Sequence, residues 1–321
     1  GMELYENALV WDDHAGFESR PDANLEQLEG WRKAGVNYLS INAGYDVQPW
    51  DNTVKTLASF HRQLSGMTDR YVIVKTVEDI AEAKAAGKLA VTFDIEGMTS
   101  LNDSLDMVSM YYNLGVKHML FAYNLNNSAG GGCHDTDIGL TTFGRDVVEE
   151  MNRVGMVVDC SHSAYRTTME AMEISKDPVV FSHSNPRALV DQGRNIRDEQ
   201  IKACAATGGV VGINGVELFL GGTTDVEAFV DHVIYTVELV GAEHVGMGLD
   251  YFEGEDEIAG LTSRNPAYWP TSEGYVGDIG CMGLDALPRA AELLLERGLN
   301  EEDVIGILGG NFLSVAERVW R

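Results

Sequence analysis

The chain has 321 residues, of which 45% are apolar and 23% are charged, a composition typical of a globular protein and not of a disordered one. Its 23 Lys and Arg residues against 50 Asp and Glu residues give a formal net charge of −27, which argues against a nucleic-acid binder and against docking on anionic lipid. No run of about 18 consecutive apolar residues occurs, so no membrane span is predicted.

Short apolar runs rich in β-branched residues alternate with amphipathic segments along the chain. Strands are predicted at residues 8–11, 36–41, 89–95, 118–122, 156–160, 179–182, 210–213 and 245–248. Helices are predicted between them at residues 25–33, 77–86, 104–114, 147–154, 165–174, 198–206 and 226–240. Continuous apolar strands that alternate with helices indicate parallel strands buried on both faces.

Eight such units favour an α/β fold of the (β/α)₈ TIM-barrel type. A doubly wound open sheet is the alternative, weakened because no glycine-rich fingerprint follows the first strand. Residues 1–321 are predicted to form a single domain. A helical insertion at 51–75, with a short strand at 71–74, follows the second strand, and a long loop at 251–283 follows the eighth. Extra C-terminal helices are predicted at 284–297, 301–308 and 311–320.

Polar side chains stand at the C-terminal ends of several predicted strands. His14 follows the first strand, Glu96 the third, His162 the fifth, His183 the sixth and Asp250 the eighth. In a barrel these ends converge on one mouth, where active sites are built. Imidazole and carboxylate groups suit zinc or a similar divalent cation. We therefore predict that Glu96 bridges two ions, one bound by His14 and the other by His162 and His183, while Asp250 acts as general base and then general acid.

Other polar residues allow less specific predictions. Arg194 either captures a substrate carboxylate or pairs with Asp191 or Asp198. The glycine-rich segment 130–135 lacks the Gly-Lys-Ser/Thr ending of a phosphate-binding loop, so a mobile active-site loop is expected there. Structural roles are expected for the histidines on predicted helices or at strand beginnings, which are His61, His118, His232 and His244.

The cysteines and the first residues bear on the cellular compartment. Four sparse cysteines without CxxC spacing predict neither a disulfide framework nor a cysteine-rich zinc site. No basic region followed by an apolar run stands at the start, so no signal peptide is predicted and a cytoplasmic location is expected.

A series of motifs resembles the membrane dipeptidase (renal dipeptidase) family of zinc metallopeptidases, within the amidohydrolase-type barrels. The most specific are Gly-Leu-Thr-Thr-Phe-Gly-Arg at 139–145, Asp-Cys-Ser-His at 159–162, Phe-Ser-His-Ser-Asn at 181–185 and Arg-Asn at 194–195. Shorter motifs are Ile-Glu-Gly at 95–97, His-Val-Gly-Met-Gly-Leu-Asp at 244–250 and Gly-Gly-Asn-Phe-Leu at 309–313. They follow the family's order over nearly the whole chain.

The resemblance implies a binuclear zinc dipeptidase that tolerates a D-residue on the C-terminal side of its substrate. It implies that Glu96 bridges the metals, with His162 and His183 on one and His14 on the other. It also implies that Asp250 transfers a proton to the leaving amine and that Arg194 holds the substrate's terminal carboxylate.

The sequence departs from the family pattern at two places. Where the family has His-x-Asp, with both residues as ligands, this chain has His14-Ala15-Gly16, so the site at His14 would be weak, empty or completed by Asp12, Asp13 or a water. The histidine that ends the family's fourth strand is replaced by Tyr123, which could bind substrate by donating a hydrogen bond to an oxyanion.

The first functional hypothesis is therefore a zinc-dependent hydrolase, with one or two ions, that acts on dipeptides. The alternatives are a metal-dependent hydrolase of another N-acyl amino acid or cyclic amide, a lyase or deaminase on the same scaffold, and a catalytically impaired barrel that serves as a binding protein because Gly16 breaks the ligand motif. The expected partner is a small-molecule substrate, with no nucleic acid and no membrane. The assembly state is open, with a homodimer as the candidate beyond the monomer.

Overall fold

The structure, a computed structural model, describes residues 2–321, and the side chains of all of these except residues 255 and 256. All strand pairings in this range are parallel. The strands are β1 (Trp11–Ala15), β2 (Tyr38–Tyr45), β3 (Tyr71–Ile73), β4 (Leu89–Glu96), β5 (Val116–Leu120), β6 (Val157–Asp159), β7 (Val179–Val180), β8 (Val211–Ile213) and β9 (Val245–Met247).

The strands curl into a barrel. One sheet runs in the order β1-β2-β4-β5-β6-β7, a second consists of β8 and β9, and β3 pairs with the first residues of β4. Two parallel bridges join these sheets. Phe181, just after β7, pairs with Val211 of β8, and Tyr251, which follows β9, pairs with Ala15 of β1. Eight strands therefore surround the axis, as the (β/α)₈ prediction requires, and the open-sheet alternative is wrong.

The helices cover the outside of this barrel and follow the strands in alternation. They are α1 (Met2–Asn7), α2 (Glu29–Lys33), α3 (Trp50–Ser65), α4 (Val77–Ala85), α5 (Asp106–Asn113), α6 (Thr142–Val154), α7 (Tyr165–Ile174), α8 (Asp198–Ala206), α9 (Glu217–Leu220), α10 (Val226–Val240), α11 (Glu255–Arg264), α12 (Leu287–Glu296), α13 (Glu301–Ile305) and α14 (Asn311–Val319). None of the described helices is both long enough and apolar enough to cross a bilayer.

Several predicted boundaries were wrong. The first strand begins at Trp11 and not at residue 8, because α1 occupies the preceding segment and the polar residues of β1 are themselves buried. Helix α6 begins five residues before the prediction, since the Thr141 hydroxyl accepts a hydrogen bond from Gly144 N–H and caps it. The segment 251–283 contains α11 and is not a continuous loop. The insertion with a helix and short strand after β2 is confirmed as α3 and β3.

Three groups of buried apolar side chains hold these layers together. The largest lies between the barrel and its helices. In the second group Trp11 and Tyr38, at the N-terminal ends of β1 and β2, pack against Phe312 and Val319 of α14. This group closes the N-terminal end of the barrel. A third lies at the opposite end, where the strands finish, and includes Tyr123, Phe219 and Trp269. The site described next lies beneath this third group.

Candidate metal centre

Two histidines and a glutamate from neighbouring strands meet at the barrel mouth. Glu96 is the last residue of β4, His162 follows β6, and His183 follows β7. The Nε2 atoms of His162 and His183 lie 3.0 Å and 3.2 Å from Glu96 Oε2 and 3.1 Å from each other. All three side chains are buried. The structure thus brings together three of the four predicted metal ligands within one ligand sphere.

Hydrogen bonds fix the tautomers of both histidines. His162 Nδ1 lies 2.7 Å from Asn124 Oδ1, which can only accept, so Nδ1 carries the proton. His183 Nδ1 lies 2.7 Å from Ser182 Oγ, whose own proton goes to Asp159 Oδ2 at 2.5 Å, so this Nδ1 is also the donor. Both Nε2 atoms therefore present lone pairs to each other and to the carboxylate oxygen.

This convergence fits a cation. Within the described part of the chain Glu96 Oε2 has no hydrogen-bond partner, and neither facing Nε2 atom carries a proton to give it. Burial raises the pKa of Glu96 to about 8. Burial also lowers the pKa of His162 and His183 well below the ordinary value, and the positive charges of Arg194 and His14 add to this. Two neutral imidazoles and a carboxylate are a donor set that zinc accepts.

The fourth predicted ligand, His14, lies on β1 beside this group. Its Nδ1 atom lies 3.2 Å from Asp94 Oδ2, and its Nε2 atom lies 3.6 Å from Glu96 Oε1 and 3.4 Å from Asp250 Oδ1. Its ring stacks on that of His183 with centroids 3.8 Å apart. Burial opposes a positive charge on His14, but the carboxylates of Asp94, Glu96 and Asp250 raise its pKa well above the ordinary value.

The structure shows which group occupies the space next to Gly16, where the family has an aspartate. A Cβ atom at Gly16 would lie 2.4 Å from the main-chain oxygen of Asp250 and 2.6 Å from its Oδ1 atom. The carboxylate of Asp250 thus lies where a side chain at residue 16 would begin. His14, His183 and Asp250 form a second group whose ligand atoms lie within 4.8 Å of one another.

The expectation that Asp12 or Asp13 completes the His14 site is wrong. The two oxygens of Asp12 accept hydrogen bonds from Trp31 Nε1 and from the main-chain N–H of Leu249, at 3.0 Å and 2.8 Å. Asp13 Oδ1 accepts one from Trp11 Nε1 at 2.9 Å. Both carboxylates are therefore directed at tryptophans and the neighbouring strand.

The backbone is strained at the mouth. Asn124, His162 and Asp250 have φ values of 61°, 66° and 56°, in the left-handed region that non-glycine residues seldom adopt. Asp250 is held there by a hydrogen bond from its N–H to the His14 carbonyl oxygen (3.0 Å), and its Oδ2 atom accepts one from Asn214 Nδ2 (3.2 Å). Strain of this kind, concentrated in one cluster of polar residues, is common at functional sites.

Tyr123 covers His162. The two rings stack with centroids 4.0 Å apart, and the Tyr123 hydroxyl accepts a hydrogen bond from Trp269 Nε1 at 3.1 Å. Burial raises the pKa of Tyr123 well above the ordinary value, so its hydroxyl keeps its proton and can donate it. Tyr123 lines the same cavity as Glu96 and Asp250.

Arg194 is buried on the other side of His162. Its guanidinium donates to the His183 carbonyl oxygen at 2.7 Å and to Ser184 Oγ at 3.4 Å, and its Nε atom has no hydrogen-bond partner among the described residues. The alternative of a surface ion pair is wrong, because Asp191 pairs with Arg187 and Asp198 accepts from Tyr235. A separate cavity of about 530 Å³ is lined by both Arg194 and His162.

The glycine-rich segment 130–135 packs beneath His162. Its main-chain N–H groups are used inside the protein, with Gly131 donating to Thr167 Oγ1 and Cys133 to the His162 carbonyl oxygen at 2.8 Å and 2.9 Å. They are therefore not available to a phosphate.

Of the four histidines predicted to be structural, His118 alone comes close to the metal centre. Its Nε2 atom lies 3.5 Å from Asp94 Oδ2, the carboxylate that holds His14, and 3.9 Å from Asp159 Oδ2, the carboxylate behind His183. Sequence reasoning assigned no role to Asn124, Ser182, Asp94 or Asp159. For Asp94 and Asp159 the available signal was a charged residue inside an otherwise apolar strand, and Asn124 and Ser182 gave no such signal.

Comparison with known proteins identifies the family. The model of the membrane dipeptidase family (Peptidase family M19) matches residues 33–266. The chain belongs to this family. It is 31% identical over 340 residues to a dipeptidase of Schizosaccharomyces pombe, covering 97% of this chain and 74% of that protein. It is also 27% identical to a dipeptidase of Claviceps purpurea, covering 84% of this chain but only 60% of the length of that relative.

Solved structures agree with the family assignment. An amidohydrolase from Pseudomonas aeruginosa has a TM-score of 0.88 and 29% identity, with 99% of this chain and 98% of that chain covered. A metallopeptidase from Rhodobacter sphaeroides has the same fold, with a TM-score of 0.77 at 18% identity and 98% and 99% coverage. That protein was crystallised with a phosphinate mimic of the dipeptide L-Ala-D-Ala. The predicted family is therefore confirmed. The predicted enzyme class, a peptidase and hence a hydrolase, is confirmed with it.

Proposed function

We propose that this peptidase is a zinc-dependent dipeptidase whose ion is held by Glu96, His162 and His183. The observation that carries the proposal is the convergence of two unprotonated Nε2 atoms on a carboxylate oxygen for which the described part of the chain offers no hydrogen-bond partner. A divalent cation bound there would polarise the substrate carbonyl and lower the pKa of a coordinated water towards ~7. A second ion would be held by His14 and Asp250, with Glu96 between the two, in place of the family's His-x-Asp pair.

The residues around this centre supply the remaining steps. Asp250 takes a proton from the attacking water and passes it to the amide nitrogen as the peptide bond breaks. The Tyr123 hydroxyl, which stays protonated, donates a hydrogen bond to the carbonyl oxygen as it gains negative charge. Arg194 binds the substrate's terminal carboxylate through its Nε atom, which has no hydrogen-bond partner among the described residues.

The mimic of L-Ala-D-Ala bound by the Rhodobacter protein supports a dipeptide as substrate and tolerance of a D-residue on its C-terminal side. Among the alternatives, the impaired binding barrel is weakened because Glu96, His162 and His183 converge in a group that does not depend on residue 16. Hydrolysis of another N-acyl amino acid or cyclic amide keeps the same residues in the same roles.

The proposal extends to the molecule as a whole. We propose a single domain over residues 1–321 and a homodimer as the assembly to test first. The unpaired thiols of Cys133, Cys160 and Cys204 support a reducing compartment such as the cytoplasm.

Elemental analysis and a peptidase assay test the proposal together. Protein purified without chelator is expected to contain zinc and to hydrolyse L-Ala-D-Ala and L-Ala-L-Ala, and removal of the ion is expected to abolish turnover. His183→Ala should lose both the metal and the activity. His244→Ala is the matched control, since His244 lies just before β9 and contacts the Gly209 carbonyl oxygen and Glu243, neither of which belongs to the site. A wild-type protein without metal above background would refute the proposal.

A further inference from the structure

A large cavity opens directly beside the candidate metal centre. It measures about 800 Å³, part of it open to solvent, and its floor includes His14, Glu96 and Asp250. A concave, mostly apolar space with a few polar groups at one end is typical of small-molecule sites. Resting on the proposed dipeptidase function, the inference concerns which side chain this space receives.

The wall of the cavity is apolar and aromatic. It is built by α9, by α11 and by the segment that follows α11, which the sequence predicted only as part of a long loop. Many of these side chains belong to the third apolar cluster, which lies at the end of the barrel where the strands finish. The residues that form the wall include Phe219, Phe252, Ile258, Leu261, Trp269 and Ile279. Such a surface gains free energy by burying a hydrocarbon group.

The charges around the cavity decide which end of a dipeptide enters it. No Lys or Arg is present among the described residues that line the cavity, whereas the acidic residues Glu96 and Asp250 both line it. Arg194 lines the separate cavity on the far side of His162. A free carboxylate in this cavity would meet no cationic side chain among the described residues and would lie away from the arginine. The C-terminal residue therefore belongs on the Arg194 side, and the N-terminal residue in the aromatic cavity.

Two buried hydroxyls mark the cavity as a ligand site. Ser19 Oγ and Tyr45 Oη have no hydrogen-bond partner among the described residues, and both residues line the cavity. Buried polar groups without partners are rare and costly in proteins. A polar group of a bound substrate would satisfy them.

We propose that this cavity selects dipeptides whose N-terminal residue has a large apolar or aromatic side chain. The cavity receives that side chain, and the peptide bond lies between it and the Arg194 side. Burial of a side chain of this size typically favours binding by 1.5–3 kcal/mol, which corresponds to roughly 10- to 150-fold. Phe-Ala should therefore have a kcat/KM about 10- to 100-fold above that of Gly-Ala.

Three dipeptides and two variants test the cavity in the metal-loaded protein. Phe-Ala is expected to exceed both Gly-Ala and Ala-Phe in kcat/KM, since only Phe-Ala places the ring in the cavity. Ile258→Asp puts a charge into the half-buried wall and should lower kcat/KM for Phe-Ala by about tenfold, mainly through KM, and should lower that for Gly-Ala by a clearly smaller factor. Ile305→Asp is the matched control, because Ile305 is 43% exposed on α13, away from the cavity, and should change neither value.

Each other outcome has a definite meaning. Equal rates for Phe-Ala and Gly-Ala, a preference for Ala-Phe, or an equal effect of Ile258→Asp on both substrates would overturn the proposal. Absence of turnover for all three dipeptides in a protein that contains zinc would refute the dipeptidase function instead. In that case calorimetric titration with Phe-Ala and Gly-Ala tests the cavity itself, and equal affinities would overturn it.

Discussion

Replacing Gly16 by alanine tests whether Asp250 lies tightly against the first strand. The added Cβ atom would lie 2.4 Å from the main-chain oxygen, 2.6 Å from Oδ1 and 2.7 Å from the main-chain carbon of Asp250. Neither side can move freely, because Asp250 N–H donates to His14 (3.0 Å) and Gly16 N–H donates to the Tyr251 carbonyl oxygen (2.8 Å). The cost is steric, since the φ angle of Gly16 lies outside the left-handed region.

Overpacking of this kind typically costs about 1–3 kcal/mol of the free energy of unfolding. An unfolding entropy of about 2.1 cal/mol/K per residue gives roughly 0.67 kcal/mol/K for 321 residues, so the Tm should fall by about 1.5–4.5 °C. Gly16→Asp restores the family motif. In metal-free protein it should lower the Tm further than Gly16→Ala does, because it adds another carboxylate beside Glu96 and Asp250.

Scanning calorimetry in the presence of chelator measures this difference. Gly30→Ala is the matched control, because a Cβ atom at Gly30 in α2 would meet only Leu284 Cδ1 at 3.9 Å and should not lower the Tm. If Gly16→Ala melts at the wild-type temperature, Asp250 does not fill the space of the missing ligand. The account of the His14 site given above would then be wrong.

Three further predictions concern the centre itself. Asp250→Asn should lower kcat at least ~100-fold in a steady-state assay, while elemental analysis still finds the ion held by Glu96 and the two histidines; unchanged turnover would remove Asp250 from proton transfer. Asn124→Ala removes the acceptor that fixes His162, so zinc affinity in a chelator-competition titration should fall by about 10- to 100-fold, and equal affinity would contradict the tautomer assignment. Between pH 6.5 and 8 metal-free protein should lose stability as pH rises, because Glu96 has a pKa of about 8 when folded against 4.5 in the unfolded chain; Glu96→Gln should reduce this loss without removing it, since burial also raises the pKa of Asp12 and Asp13 to about 7, and a profile of Tm against pH unchanged by the variant would refute the contribution of Glu96.

The fold could be predicted because its signal is local. Each strand is a short apolar run and each helix between them has its own periodicity, so the eight units and their order were predicted from neighbouring residues alone. The error at the first strand arose because that buried segment is polar. Every residue of β1 is buried, and Asp12 and His14 have their partners, Trp31 and Asp94, elsewhere in the chain. Such partners leave no local pattern.

The predicted ligands could likewise be found because each ends a strand, and the barrel topology then brings them together. The groups that orient them could not be found in this way. Asp94 is on β4 and holds His14 on β1, and Asn124 follows β5 and holds His162 after β6. These pairs depend on the relative register of separate strands, which no single segment of the sequence specifies.

The two departures from the family pattern have opposite physical characters. At position 16 the side chain is lost, and a carboxylate 234 positions later in the chain, on Asp250, fills the same space within 3.4 Å of His14 Nε2. At position 123 an imidazole is replaced by a phenol, which burial keeps protonated and which stacks on His162 beneath an aromatic wall. A protonated phenol donates a hydrogen bond without adding positive charge. The first change therefore removes one carboxylate from around the proposed ion sites, because the family has the counterpart of Asp250 in addition to its His-x-Asp pair, and the second makes the substrate cavity more apolar, as the proposed preference for aromatic side chains requires.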